Sequence, residues 1–201
     1  MRRFRILALF FCIVIKKINV MQKDKLTFFS IFENYKLRVN MAHKGLSKSK
    51  YVAFCSCEKL LWLRVYKSEL AVVDDASMAR METGNEVGDL AMQLFGDFVE
   101  VTAKNDDGSL NLKKMLEDTR KCLDEGCNNI CEASFSYHGC YCAVDILRKE
   151  KGGYVIYEVK SSTEVKDYYL TDIAYQKYVL EKCDVKVTGT YIVHIDITAK
   201  N

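Results

Sequence analysis

Residues 142–162 read CAVDILRKEKGGYVIYEVKSS, two runs of mostly apolar, β-forming residues separated by Lys151-Gly152. A Lys-Gly pair between two such runs predicts a two-residue hairpin turn, and a turn at these residues places Asp145 opposite Glu158. Both runs are apolar on both faces, as the central strands of a sheet are. The charged residues within them therefore need a specific reason to be there.

The two carboxylates of this hairpin predict a cation site. Facing Cβ atoms in an antiparallel pair are about 5 Å apart, so Asp145 and Glu158 repel each other unless one takes up a proton or a cation lies between them. Lys160 projects from the same strand face about 7 Å beyond Glu158. Oxygen ligands favour Mg²⁺ or Mn²⁺, and such a cation beside an ammonium group suits hydrolysis of a phosphodiester. The alternative is an exposed hairpin on which the same residues form ordinary salt bridges.

Composition is typical of one globular domain. The chain has 201 residues, 49% of them hydrophobic, which is enough for one sizeable core. A formal net charge of +3 neither indicates nor excludes nucleic-acid binding. Nine cysteines at irregular spacings predict reduced thiols and a cytoplasmic protein. The spacing of Cys122, Cys127 and Cys131 matches no common zinc pattern, so we assign these residues no ligand role.

The first 40 residues differ in character from the rest. They combine a basic start with an apolar run at residues 6–15, which is shorter than the roughly 20 residues of a membrane span. A small-residue cleavage site of the secretory type does not follow this run. We therefore expect residues 1–40 to be a non-native or poorly ordered extension, residues 41–201 to form the domain, and no stable membrane association.

The order of predicted elements indicates an α/β domain with a mixed central sheet flanked by helices. Helices are expected at 49–67, with Trp62 on the buried side, at 75–95, at 110–125 ending at Gly126, and at 167–183; strands are expected at 129–137, 140–147, 154–160 and 185–197. Gly84 and Gly88 interrupt the second helix, which suggests close approach by another chain or a ligand.

Several longer strings, together with the charged hairpin, resemble a known family. They are LSKSKYVAFCSCEKLLWL, GNEVGDLAMQLF, NICEASFSYHGCYCAVDIL and IYEVKSSTEVKDYYLTDIAYQKYVL. With Asp145, the Glu158-Val159-Lys160 tripeptide and Gln176, they are similar to PD-(D/E)XK nucleases, in particular RecB-like and CRISPR-associated exonucleases. The strings most resemble a group of bacterial proteins whose RecB-like module precedes a larger uncharacterised region.

This resemblance implies a restriction-endonuclease-like core and a metal-dependent nuclease that hydrolyses DNA, with single-stranded or end-containing DNA as the expected substrate. In that family pattern Asp145 and Glu158 bind Mg²⁺ or Mn²⁺, and Lys160 positions the attacking water. Gln176 supports the site or touches DNA.

The sequence departs from the family pattern at two places. Relatives often carry a His four residues after the Gly that corresponds to Gly84; here that position is Gly88, which leaves Glu86 or Asp89 as substitute metal ligands. Relatives with an iron–sulfur cluster use a cysteine that Cys57 resembles and three more near the end of the module, so a complete cluster is expected only in a longer form. The chain resembles a truncated copy, so a missing C-terminal region or a protein partner is expected. The alternative function is that of an inactive nuclease-fold fragment that binds nucleic acid or a protein.

Overall fold

A tight hairpin at the centre of the sheet is formed by β5 (Cys140–Glu150) and β6 (Gly153–Lys160). The two strands pair antiparallel from Glu150 with Gly153 to Ile146 with Tyr157, so the predicted turn and register are confirmed. Gly152 has φ +91°, a conformation that side-chain-bearing residues rarely adopt, which explains the glycine in the turn.

The structure is a computed structural model and describes residues 12–18 and 45–196, in which the predicted α/β class and mixed sheet are confirmed. The other strands are β1 (Cys12–Lys17), β2 (Leu46–Ser47), β3 (Val99–Glu100), β4 (Asn129–Tyr137) and β7 (Val187–Asp196). Their order is β1-β7-β6-β5-β4-β3, and β2 pairs with the start of β5. Strands β6 and β7 are parallel, as are β2 with β5 and β3 with β4, whereas the remaining neighbours are antiparallel.

Five α-helices flank this sheet in the described part of the chain. They are α1 (Lys48–Ser56), α2 (Glu58–Tyr66), α3 (Asp75–Ala91), α4 (Leu112–Glu125) and α5 (Asp167–Lys182). Helix α3 continues as a short 3-10 turn at Met92–Phe95, and α4 ends at Gly126 in a left-handed conformation. The predicted helices at 75–95, 110–125 and 167–183 are thus confirmed apart from small differences at their ends.

The single helix predicted at 49–67 is wrong, because the chain breaks at Cys57 into α1 and α2. Cys57 is extended, with φ −167° and ψ 120°, and caps the end of α1. The break resets the helical phase, so Leu61 and Val65 are the residues of α2 that face the core. Trp62, one position beyond Leu61, points about 100° away from it and is 48% exposed, so its predicted burial is also wrong.

Helix α5 ties the start of α1 to the sheet. Its Tyr175 is fully buried, stacks on Tyr51 of α1 with ring centroids 5.0 Å apart, and donates a hydrogen bond to the carbonyl oxygen of Leu46. Tyr175 also accepts a hydrogen bond of 3.1 Å from the backbone N–H of Tyr141 in β5. These contacts fix β2, and with it the first residue of α1, beside the start of β5.

In both β4 and β5, the alternation of side chains between the two faces of the sheet is interrupted at one position. Ala133 and Val144 pack in the core that contains Tyr175, whereas Cys131 and Ile146 pack in a second core with Ala91. The residues between these pairs are Glu132 and Asp145, which lie opposite each other in the register. Glu132 has φ +58°, an uncommon conformation for a residue with a side chain, and neither Glu132 nor Asp145 belongs to either core.

Part of the N-terminal segment joins the sheet as an edge strand. β1 pairs antiparallel with β7, Ile18 is buried, and the hydroxyl of Thr190 donates a hydrogen bond to the carbonyl oxygen of Ile18. The expected extension at residues 1–40 otherwise falls outside the described residues and stays a prediction. Within the described ranges, the helices lack the length and apolar character needed to cross a membrane.

Candidate active site

A cleft of about 680 Å³ beside the central hairpin is lined by four of the predicted site residues, Asp89, Asp145, Glu158 and Lys160. Asp145, Glu158 and Lys160 form part of its wall, together with Gly84 and Gly88 of α3. A Cβ atom added at Gly88 would meet nothing within 4 Å, so this side of α3 faces open space. The two glycines border this cleft, and the close approach by a ligand or another chain that they suggested stays a prediction.

Glu158 is the centre of the polar network. Only 1% of its side chain is exposed, and it accepts hydrogen bonds from Lys48 at 2.9 and 3.2 Å, from Lys160 at 2.5 Å and from Gln176 at 2.7 Å. Burial alone would raise the pKa of this carboxyl, but the ammonium groups of Lys48 and Lys160 outweigh it and lower the pKa to about 2. Glu158 is therefore ionised at neutral pH.

Lys160 connects two carboxylates. Its Nζ lies 2.5 Å from Glu158 Oε1 and 2.7 Å from Asp172 Oδ2, and the side chain is 19% exposed. Burial acts to lower the pKa of Lys160, but the two carboxylates raise it above its ordinary value. Lys160 is thus a permanent cation in this arrangement, and it can donate hydrogen bonds but cannot act as a base.

Asp145 ends the pairing between β5 and β6. Its Oδ2 accepts a 2.7 Å hydrogen bond from the backbone N–H of Val159, while its Oδ1 lies 3.8 Å from Lys48 Nζ, beyond hydrogen-bonding range. Burial and the nearby Glu158 carboxylate raise the pKa of Asp145 to about 7. Lys48 Nζ lies 2.9 Å from Glu158 Oε1 as well, so Asp145 and Glu158 share this ammonium group as a neighbour.

Gln176 reaches the network from the buried face of α5. Its Nε2 donates to Glu158 at 2.7 Å and to Asp172 at 3.0 Å. Its Oε1 is buried and has no hydrogen-bond partner among the described residues. The side-chain amide of Gln176 thus holds the carboxylates of Glu158 and Asp172 in place through its nitrogen, and its oxygen makes no hydrogen bond with the described residues.

The sequence analysis missed two members of the network, Lys48 and Asp172. Asp172 precedes Gln176 by one helical turn, so the spacing would have placed it on the same face of α5. Lys48 is the first residue of α1 and is 110 residues from Glu158, and its sequence surroundings give no signal for this contact.

Glu132 is another residue that the sequence analysis missed, and like Asp172 it could have been found from the sequence. It lies in a strand that is otherwise mostly buried, which is the same anomaly that drew attention to Asp145. It lines the cleft together with Glu100, and burial, helped by the charges of Glu158 and Glu100, raises its pKa. The cleft wall next to Asp145 is therefore rich in carboxylates.

The family pattern also suggested Glu86 and Asp89 as substitute metal ligands and Cys57 as an iron–sulfur ligand. These three residues lie at different places in the structure. Asp89 lines the cleft, whereas Glu86 is exposed on α3 and is not part of the cleft wall. Cys57 is an exposed thiol at the break between α1 and α2, outside the cleft. Their proposed roles as ligands stay predictions.

The donor set of the network suits a hard divalent cation in chemistry and charge. Three carboxylates, of Asp145, Glu158 and Asp172, face two ammonium groups, of Lys48 and Lys160, which leaves one negative charge unbalanced. In the described ranges no three or more His, Cys, Asp or Glu side chains are grouped as metal ligands would be. Both oxygens of Glu158 accept hydrogen bonds from Lys48, Lys160 and Gln176.

No protein-family model matches this chain, and searches of curated proteins and of solved structures found no match either. The resemblance to RecB-like nucleases therefore rests on the motifs alone and stays a prediction.

Proposed function

We propose that this protein hydrolyses phosphodiester bonds of DNA in a reaction that depends on Mg²⁺ or Mn²⁺. The observation that carries the proposal is the convergence of Asp145, Glu158, Lys160 and Gln176 in one buried network at the wall of a cleft. Charged groups buried together in a cleft are more typical of a reaction site than of a stabilising pair. The motif resemblance points to the same reaction.

The charges and contacts of the residues in this network support a role for each of them. Lys160, held between Glu158 and Asp172, remains an ammonium group that can orient the attacking water or stabilise charge that develops on the phosphate. Gln176 keeps Glu158 and Asp172 in fixed positions. Asp145 and Glu158 are the residues that would hold the cation, which when bound would activate a water molecule and neutralise phosphate charge.

The cleft lining gives support for a phosphate-bearing substrate. Asn85, Thr102 and Lys104 line the same cavity and carry side-chain donors that suit phosphate oxygens. Exonuclease-like action on single-stranded or end-containing DNA rests on the motif resemblance.

The test is cleavage of end-labelled single-stranded, blunt duplex and circular DNA by the purified chain with Mn²⁺, with Mg²⁺ and with chelator. We expect cation-dependent cleavage that Asp145→Asn abolishes, because it removes an anionic oxygen from the site. The matched control is Asp124→Asn on exposed α4, which should cleave like the wild type. Cleavage in chelator, or full activity of Asp145→Asn, would contradict the proposal.

The ion pairs at Glu158 favour a second candidate function, that of a binding module without catalytic activity. Both Glu158 oxygens already accept hydrogen bonds, so the network is stable without a cation and could serve an inactive module that binds nucleic acid or a protein. Fluorescence anisotropy of a labelled oligonucleotide in chelator distinguishes the two. Tight binding without cleavage in any cation supports the binding module.

A further inference from the structure

Lys48 is held in the network by backbone structure at the start of α1. Ser47 caps the helix, with its side-chain oxygen accepting from Lys50 N–H, and the Leu46–Ser47 strand pairs with β5. The hydroxyl of Tyr175 anchors Leu46 from the other side. Together these contacts aim the Lys48 side chain at the gap where β5 and β6 separate.

The Lys48 ammonium group lies among three carboxylates. Its Nζ is 2.9 Å from Glu158 Oε1, 3.8 Å from Asp145 Oδ1 and 3.8 Å from Asp172 Oδ1. In the described part of the chain, Lys160 forms ion pairs with Glu158 and Asp172 and none with Asp145. Lys48 therefore takes the position between Asp145 and Glu158 that a bound cation would need.

We infer that Lys48 is an internal counter-ion that occupies the cation position between Asp145 and Glu158 and must release Glu158 before a divalent cation binds. The inference rests on the cation site of the proposed function. Lys48 is not among the residues assigned from the nuclease pattern, and it competes with the cation for the same two carboxylates.

Electrostatics and side-chain freedom support this exchange. An ammonium group and a divalent cation repel each other strongly at separations of about 4 Å, so both cannot lie between the same two carboxylates. The Lys48 side chain is 24% exposed, and its four-carbon stem can swing aside, whereas Glu158 is almost fully buried and cannot follow it. Without a cation, Lys48 keeps the buried carboxylates from repelling each other.

The test is calorimetric titration of the full chain with Mn²⁺ for wild type, Lys48→Met and Lys48→Gln. Methionine removes the charge at similar length, and glutamine also keeps a donor for Glu158 if the first variant does not fold. We expect either variant to bind Mn²⁺ at least about tenfold tighter than wild type, the order of effect of removing one nearby unit charge. Lys48→Arg, which keeps the charge, should not bind more tightly than wild type.

Lys59→Met on exposed α2 is the matched control and should leave Mn²⁺ affinity unchanged. Equal or weaker Mn²⁺ binding by folded Lys48→Met and Lys48→Gln overturns the inference, and so does an absence of Mn²⁺ binding in all variants. Cleavage by the wild type with no gain in Mn²⁺ affinity in the variants would sink the inference alone. Tighter Mn²⁺ binding by the variants, with no DNA cleavage by any form, would sink the proposed function and leave the inference standing.

Discussion

Two parts of the chain bring an ammonium group to the same carboxylate, and they hold it in different ways. Lys160 lies two residues from Glu158 at the end of β6, where it pairs with His194 of the parallel strand β7. Lys48 comes from the start of α1, 110 residues away, and is held through a two-residue strand and one tyrosine hydroxyl. The sheet fixes Lys160 in place, whereas the attachment of Lys48 can loosen. This difference suits Lys160 to a constant electrostatic role and Lys48 to exchange with a cation.

The largest expected effect follows from removing the carboxylate that both lysines share. Glu158→Gln leaves the ammonium groups of Lys48 and Lys160 without their common anion, and breaking a buried ion pair in this way costs about 3–5 kcal/mol of unfolding free energy. Denaturant unfolding measures the change, with exposed Glu164→Gln as the control. A loss under about 1 kcal/mol would mean that the network contributes as little as a surface pair does.

The Lys160→Ala variant tests whether Lys160, unlike Lys48, has a role in hydrolysis that is separate from cation binding. If Lys160 orients the nucleophile or stabilises charge on the phosphate, the variant should lose DNA hydrolysis by a factor of about 100 or more, with the fold retained and Mn²⁺ binding no weaker than in the wild type. Single-turnover cleavage and calorimetry give the two readouts. Full-rate cleavage by the folded variant would remove Lys160 from the mechanism while leaving the cation site intact.

Tyr175→Phe tests the attachment of the Lys48 region. Loss of the hydroxyl leaves the Leu46 carbonyl and the Tyr141 N–H without this partner, for an expected loss of about 1–3 kcal/mol. Hydrogen exchange should speed up across residues 46–56 more than across the hairpin at 140–160. Exposed Tyr168→Phe is the control, and equal loosening of both regions would show that they are not held separately.

A further prediction concerns pH and the carboxyl of Asp145, which faces Lys48. Because the pKa of Asp145 rises from 3.8 to about 7 on folding, the folded state binds the extra proton, and stability should fall as pH rises through this window. Asp145→Asn should remove the part of that decline that Asp145 contributes. Thermal unfolding between pH 4 and 7 measures it, and parallel curves for wild type and variant would show that Asp145 is not perturbed.

The hairpin could be predicted because its determinants are local. The Lys151-Gly152 turn sets the register, and the register places Asp145, Glu158 and Lys160 without any knowledge of distant contacts. Gln176 was found only because the family pattern that the chain resembles contains it. Asp172 lies one helical turn before Gln176 on the same face of α5 and could have been found from that spacing.

The Lys48 region could not be predicted in the same way. The break at Cys57 occurs without a proline or glycine, so the helical pattern runs through it without a signal. The contact between Lys48 and Glu158 depends on how β2 pairs with β5 and how α5 packs, which are long-range features of the fold. Local periodicity contains no information about such contacts.

The central claim is that Asp145 and Glu158 form a divalent-cation site, and thermal unfolding with and without Mn²⁺ tests it most directly. At a free Mn²⁺ concentration of about 100 times the dissociation constant, the wild type should gain about 2.7 kcal/mol of unfolding free energy. Asp145→Asn should gain much less at the same Mn²⁺ concentration, because it lacks one anionic ligand. Equal stabilisation of wild type and Asp145→Asn by Mn²⁺ would contradict the account, as would no stabilisation of the wild type.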